Sequence, residues 1–238
     1  IGQFQSMEEI NNYPVNIDGQ GNRTMLPGDL IYKDFNNDGI ISALDMRPLG
    51  YGRATSSPWG WGTSRTGLPN LSYGMTINLS WKSFDMNVAA QGATMMTFIR
   101  EWELRNPLQG DANSSNRVLT DSWHMQDIYA PSDNSWVAAT YPAIRTTMAT
   151  HSDGNKASTF WADNITYLRL RNLDFGYNIP KKYLNKLGIQ NCRIYANGYN
   201  LFSLDNLRKY GVDPEISTTS GLQYPQSKIV NLGANITF

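Results

Sequence analysis

From residue 70 onward, apolar and polar side chains alternate one by one along several segments, the period of a β-strand whose two faces meet different surroundings. Leu71, Tyr73, Met75, Ile77, Leu79 and Trp81 face one way, and Ser72, Gly74, Thr76, Asn78 and Ser80 the other. Lys82 and Ser83 make a tight turn, after which Phe84, Met86, Val88 and Ala90 alternate with Asp85, Asn87, Ala89 and Gln91; the pair predicts a hairpin. A third run, through Tyr167, Leu168, Leu170, Leu173, Phe175 and Tyr177, shifts phase near Asn172, as a β-bulge makes it do. A fourth places Tyr195 and Tyr199 on one face, and a fifth alternates Val230, Leu232, Ala234, Ile236 and Phe238 with Asn231, Gly233, Asn235 and Thr237. The predicted strands are 70–81, 84–98, 164–179, 191–202 and 227–238.

The connections alternate too. They are short between the first two strands and between the third and fourth, and long at 99–163 and 203–226. Transmembrane barrels have tight periplasmic turns and long extracellular loops, whereas a soluble sandwich has no physical reason to put every long loop at one end. The pattern therefore predicts an all-β chain: 70–238 forms the last strands of a large antiparallel transmembrane β-barrel with long extracellular loops, its C-terminus on the periplasmic side, and 1–69 an extracellular loop region. Five strands leave two unpaired edges in lipid, where every backbone group needs a partner, so further strands must come from elsewhere. The rival architecture is a secreted carbohydrate-binding β-sandwich with a structural calcium site.

Composition narrows this. Lys plus Arg equals Asp plus Glu, at 20 each, so no basic field draws the chain to nucleic acid. Aromatics reach 12% and charged residues only 17%. No stretch of about 18 uninterrupted apolar residues predicts a membrane helix, a criterion blind to barrel strands. Cys192 is the single cysteine and cannot form an internal disulfide. The chain starts at Ile1 without a charged and apolar leader, so any signal peptide lies outside this sequence.

The sharpest local signal is Asp34-Phe-Asn36-Asn-Asp38-Gly39-Ile40-Ile-Ser42-Ala-Leu-Asp45. Oxygen side chains at positions one, three and five, Gly at six, a carbonyl at seven and an acid at twelve are the spacing of an EF-hand calcium loop. Asp34, Asn36, Asp38, Ile40 (through its carbonyl, with its side chain packed inward) and Asp45 are the predicted ligands. An Asx-rich turn that binds nothing is the plainer alternative. Trp59, Trp61, Trp102, Trp123 and Trp136 crowd the loops, with Trp161; indoles stack on sugar rings or pack into loops, and these five are candidate substrate contacts. His124 and His151 lack any adjoining nucleophile motif, and Glu101 and Glu103, on one side of an extended chain, are the nearest thing to a glycosidic acid pair. No enzyme activity is expected.

Pro27-Gly-Asp29-Leu-Ile-Tyr-Lys33-Asp34, the acidic loop, Arg47-Pro-Leu-Gly50 and the strand from Asn70 resemble the starch-utilisation SusC/RagA class of TonB-dependent transporters. So do Tyr167-Leu-Arg-Leu-Arg-Asn172, Gly176-Tyr-Asn-Ile-Pro180, Asn197-Gly-Tyr-Asn-Leu-Phe202, Gly211-Val-Asp-Pro-Glu215 and the terminal strand. The resemblance implies a barrel of about 22 strands with an N-terminal plug, both plug and TonB box lying outside this chain. It implies a SusD-like surface lipoprotein lid, energy from the TonB complex, contact with outer-membrane lipid, and an oligosaccharide or peptide as cargo. Phe238 resembles the terminal aromatic read by the barrel-assembly machinery.

Overall fold

The computed structural model describes residues 2–50, 69–108, 114–129, 131–132, 135–145, 156, 158–215, 224 and 226–238. Its strands in chain order are β1 (Gly2–Gln3), β2 (Leu30–Ile31), β3 (Leu71–Trp81), β4 (Phe84–Ile99), β5 (His124–Met125), β6 (Trp136–Val137), β7 (Ala162–Asn178), β8 (Asn191–Asp205) and β9 (Ile229–Thr237). Among the described residues, β3, β4, β7, β8 and β9 form one antiparallel sheet in that order, each strand beside its neighbour in sequence. Trp81 pairs with Phe84 across the Lys82-Ser83 turn, with Lys82 at a left-handed φ of 56°. The phase shift appears as a bulge: Leu170 opposes Phe202 and Asn172 opposes Tyr199, leaving Arg171 unmatched.

Cross-strand register puts like with like. Ile77, Val88, Leu173, Gly198 and Val230 make one row across all five strands. One residue further along lies the row Asn78, Asn87, Asp174, Asn197 and Asn231, on the opposite face. Tyr195 and Tyr199 belong to this polar face, opposite Gly176 and Asn172. Asn87 donates to Asn78, Asn172 to Asn87 at 3.1 Å and Asn231 to Asn197 at 3.0 Å. Next to this row Arg193 pairs with Asp85 and Asp174. Charges and amides thus satisfy one another along one face.

Nothing among the described residues covers the apolar face. Leu71, Met75, Leu79, Phe175, Ile194, Phe202, Val230 and Ile236 are all exposed, and Leu232 reaches 82%. In water each such leucine would forgo about 1.5–3 kcal/mol of burial. The rival sandwich architecture fails here, because among the described residues no second sheet lies against these side chains.

The loop end is packed in the ordinary way. Ala93, Met96, Phe98, Ile165 and Tyr167, on the polar side of β4 and β7, are capped by Leu104, Leu207 and Val212. A second cluster gathers Phe4, Ile10, Ile17 and Met25 around helix α1 (Met7–Asn11), whose first turn is capped by Ser6. A third joins Leu30 to Val118, Tyr141 and Trp161 of the long connection after β4.

Candidate functional site

The long connection after β4 owes its position to two buried cations. Arg100 pairs with Asp163 at 3.1 Å, and its guanidinium lies 4.8 Å from the Trp161 ring centre and 4.6 Å from that of Tyr210. Tyr141 and Phe160 flank it at 5.9 and 5.7 Å. Such cation–π contacts gain when desolvated, so one arginine ties the end of β4 to loops on either side. Arg145 donates to Asp29 at 2.7 Å, both buried, and to the Thr24 carbonyl at 3.2 Å. Gly28, at φ +90°, brings the backbone so close to Trp123 that a Cβ there would sit 2.3 Å from the indole. Only glycine fits that position.

Against this support, helix α2 (Asn116–Thr120) and the β5/β6 hairpin border an open cleft of about 300 Å³. Trp123 and Trp136 line it, with Leu26, Leu119, Met125 and Ile128. Trp123 is 4% exposed and Trp136 half-buried. Of its polar groups, the Ser122 hydroxyl donates to the Val118 carbonyl, and Nδ1 of His124 meets the Ser122 carbonyl at 3.0 Å. Two of the five candidate tryptophans therefore come together. Trp102 does not join them, standing 57% exposed in a short helical turn. Trp59 and Trp61 lie outside the described residues, as does His151. Trp161 is fully buried and serves packing.

On the polar face a second constellation forms where the chain after β8 folds back. Arg169 pairs with Asp213 and Glu215, each at 2.7 Å, and Arg171 with Glu215 at 2.7 Å. Gln226 accepts from Arg169 at 2.6 Å and Gln91 donates to Glu215 at 3.1 Å. Both segments carry the family resemblance, and no local pattern in them shows that they meet. Nearby, Lys209 and the Tyr210 hydroxyl contact Asp163 at 3.2 Å each; burial raises the Tyr210 phenol above its ordinary value.

The acidic loop forms a tight turn held by its own amides. Asp34 accepts from Asn37 at 2.7 Å and Gly39 at 2.8 Å, and Asp38 from Ile40 at 2.9 Å. Asp45 accepts from Phe35 and Ser42, both at 2.8 Å, and the Ser42 and Phe35 amides hold its carboxyl below the usual range. Gly39 has the required positive φ of 81°. Ile41, not Ile40, packs inward, joining the Phe4 cluster, while Ile40 stays 48% exposed. Ile41 also donates to Asn16 at 2.9 Å, so the chain is pinned one residue beyond the predicted carbonyl ligand. Among the described residues no three His, Cys, Asp or Glu side chains converge at metal-binding spacing, and Asp45 is occupied as a helix cap. Glu101 and Glu103 lie at the cap and inside a helical turn rather than along an extended chain, which removes the geometry expected of an acid pair.

No family model matches the chain. Among curated proteins it is similar to TonB-dependent receptor P3 of Formosa agariphila, 28% identical over 255 residues, covering all of this chain and 22% of that protein. TonB-dependent receptor P26 of the same organism is 27% identical over 252 residues, again with all of this chain and 22% of the relative covered. The chain thus spans about a fifth of the length of these relatives. Among solved structures it resembles the RagAB peptide importer in its open-open state, with a TM-score of 0.51 and 22% identity over 70% of this chain and 17% of that one. That likeness shows the fold: strands of a large antiparallel β-barrel.

Proposed function

We propose that this chain, a homologue of TonB-dependent receptors over its full length, is a section of an outer-membrane importer of oligomeric nutrients. One observation carries the reading: the apolar face of a five-stranded sheet stands uncovered while the other face is filled with paired amides and charges. Hydrocarbon outside and a wet interior demand that division. The two open edges, β3 and β9, call for further strands to close the sheet.

The loop end faces the outside and the turn end the periplasm. Trp81, Phe84, Phe175 and Tyr177 gather at the turn end with Lys82 beside them, the arrangement of an interfacial aromatic belt. Phe238, at the same end and largely exposed, is the assembly signal. A SusD-like surface lipoprotein lid and the TonB complex are the partners, and the cargo contacts lie in the loops at Trp123 and Trp136. No residue performs covalent chemistry.

Fractionation tests the reading. The intact protein should pellet with outer membranes and require detergent for release, and growth on its cargo should need TonB; release by buffer alone overturns the proposal. For the acidic loop, the turn already holds its shape, so calcium would be a weak ligand of Asp34, Asn36, Asp38, the Ile40 carbonyl and Asp45, gained when Asp45 rotates off its amides. Calorimetric titration of calcium should give heat that disappears in a double Asp34→Ala, Asp38→Ala variant; the same heat in both proteins removes the assignment.

A further inference from the structure

We infer that the turn end of the sheet holds anionic phospholipid headgroups on the periplasmic side of the membrane through a belt of four lysines, an inference that rests on the import reading. Charge is spread unevenly over the molecule. Towards the loop end Arg100, Arg145, Arg169, Arg171 and Lys209 each pair with a carboxylate. At the turn end the carboxylates Asp85 and Asp174 lie on the polar face, and Arg193 takes both. Lys82, Lys181, Lys182 and Lys186 are left over. The segments that carry them, 79–84 and 178–192, contain no Asp or Glu.

Position assigns the ligand. Helix α3 (Lys181–Leu184), continued by a helical turn at Asn185–Leu187, packs against β8. Cys192 and Ile194 flank the inward Arg193, so both belong to the apolar face; Ile194 is exposed, whereas Cys192 and, on the helix, Leu184 are buried. The helical segment therefore closes over the end of the apolar face. Tyr183 and Leu187, four residues apart, stand exposed on it with Lys182 and Lys186 beside them. Lys182 lies 4.7 Å from the Tyr183 ring centre, and Lys82 repeats the device 4.6 Å from that of Trp81. Such a pair suits the level where hydrocarbon meets headgroups, since ring and lysine stem stay in the apolar layer while the ammonium reaches the polar one. There each unneutralised lysine favours an anionic headgroup by about five-fold in affinity, whereas a zwitterionic headgroup sets its own cation beside its phosphate. An acidic protein would also satisfy the charges. It would have to displace lipid from rings that continue the apolar face through the exposed Phe84 and Ile236.

Native mass spectrometry tests this on the intact protein released from nanodiscs that hold phosphatidylglycerol and phosphatidylcholine in equal parts. Phosphatidylglycerol should be retained about ten-fold or more over phosphatidylcholine. Lys82→Gln, Lys181→Gln, Lys182→Gln and Lys186→Gln together should bring the ratio to near parity, whereas the four Lys→Arg changes, which keep the charge, and Lys33→Gln, remote from the belt, should preserve it. Should the fourfold Gln variant fail to assemble, Lys82→Gln and Lys182→Gln made singly decide, each lowering the ratio about five-fold. Equal retention of the two lipids by the unaltered protein, or a preference that survives the Gln changes, overturns the inference. So does saturable binding of inorganic phosphate without any lipid preference, which would make the belt a plain anion site. Protein that pellets with outer membranes and needs detergent, yet holds both lipids equally, leaves the import reading standing and this one refuted; release by buffer alone refutes the import reading itself.

Discussion

The aromatic rings at the two ends of the sheet have opposite fates. At the turn end, Trp81 stands 67% exposed and stacks on Phe84 at 6.5 Å, and Phe84 lies 5.7 Å from Phe175. At the loop end, Trp161 is completely buried, 5.8 Å from Tyr141 and 4.8 Å from Phe160, around the Arg100 guanidinium. Residue type does not separate them; surroundings do. A membrane interface accepts an indole without help from protein, whereas water at the loops leaves each ring to find cover among its neighbours. On the import reading proposed above, the end that looks unfinished as a soluble fold is complete as a membrane surface.

Removing a buried ring should break the comparison most severely. Trp161→Ala should cost the loop-end packing about 3–5 kcal/mol, seen as fast hydrogen exchange in 100–145, with the heat-modifiable gel mobility of the barrel kept. Next comes the apolar face. Met75→Arg, near the middle of β3, should destabilise the barrel in lipid by about 2–4 kcal/mol, whereas Thr76→Arg, one residue away on the polar face, should cost far less in the same detergent-to-vesicle folding titration; equal costs would mean the apolar face does not meet hydrocarbon. Gly28→Ala should loosen the Trp123 shelf by about 1–3 kcal/mol through its left-handed backbone and the blocked Cβ, read as a shift of tryptophan emission to longer wavelength.

The smallest effect is a pH response confined to the acidic loop. Asp45 has its folded pKa depressed by the Ser42 and Phe35 amides. Its contribution is therefore fully present above the unfolded carboxylate range of about 4 and is lost as pH falls through the lower folded value. Exchange at those two amides should accelerate only below about pH 4, with the sheet unaffected.

Much of the sheet was legible because period-two alternation is local: Leu71 to Trp81 declares both faces without reference to any other strand, and the shift at Asn172 announces its bulge. The second register shift, between Ala93 and Met96, left no mark, since threonine and methionine there suit either face. β7 begins at Ala162 and β8 runs on to Asp205, beyond the pattern, because their loop-end portions are covered by Leu207 and Val212 rather than divided between lipid and water. In the acidic loop the turn was readable from Asp, Asn and Gly, but which isoleucine packs inward depended on a bridge to Asn16. Of the candidate tryptophans, only Trp123 and Trp136 were brought together, by a hairpin of two pairs too short to show a period.

By itself the sequence determined the strands, their two faces, the tight turn at Lys82 and the acidic turn, all consequences of side-chain geometry within a few residues. Tertiary structure alone decided that Asp29 meets Arg145, 116 positions away, that Arg100 is ringed by four aromatic side chains, and that Glu215 returns to Arg169 and Arg171. Those contacts arise where chain segments remote in sequence exclude water together, and no local pattern records which segments will do so.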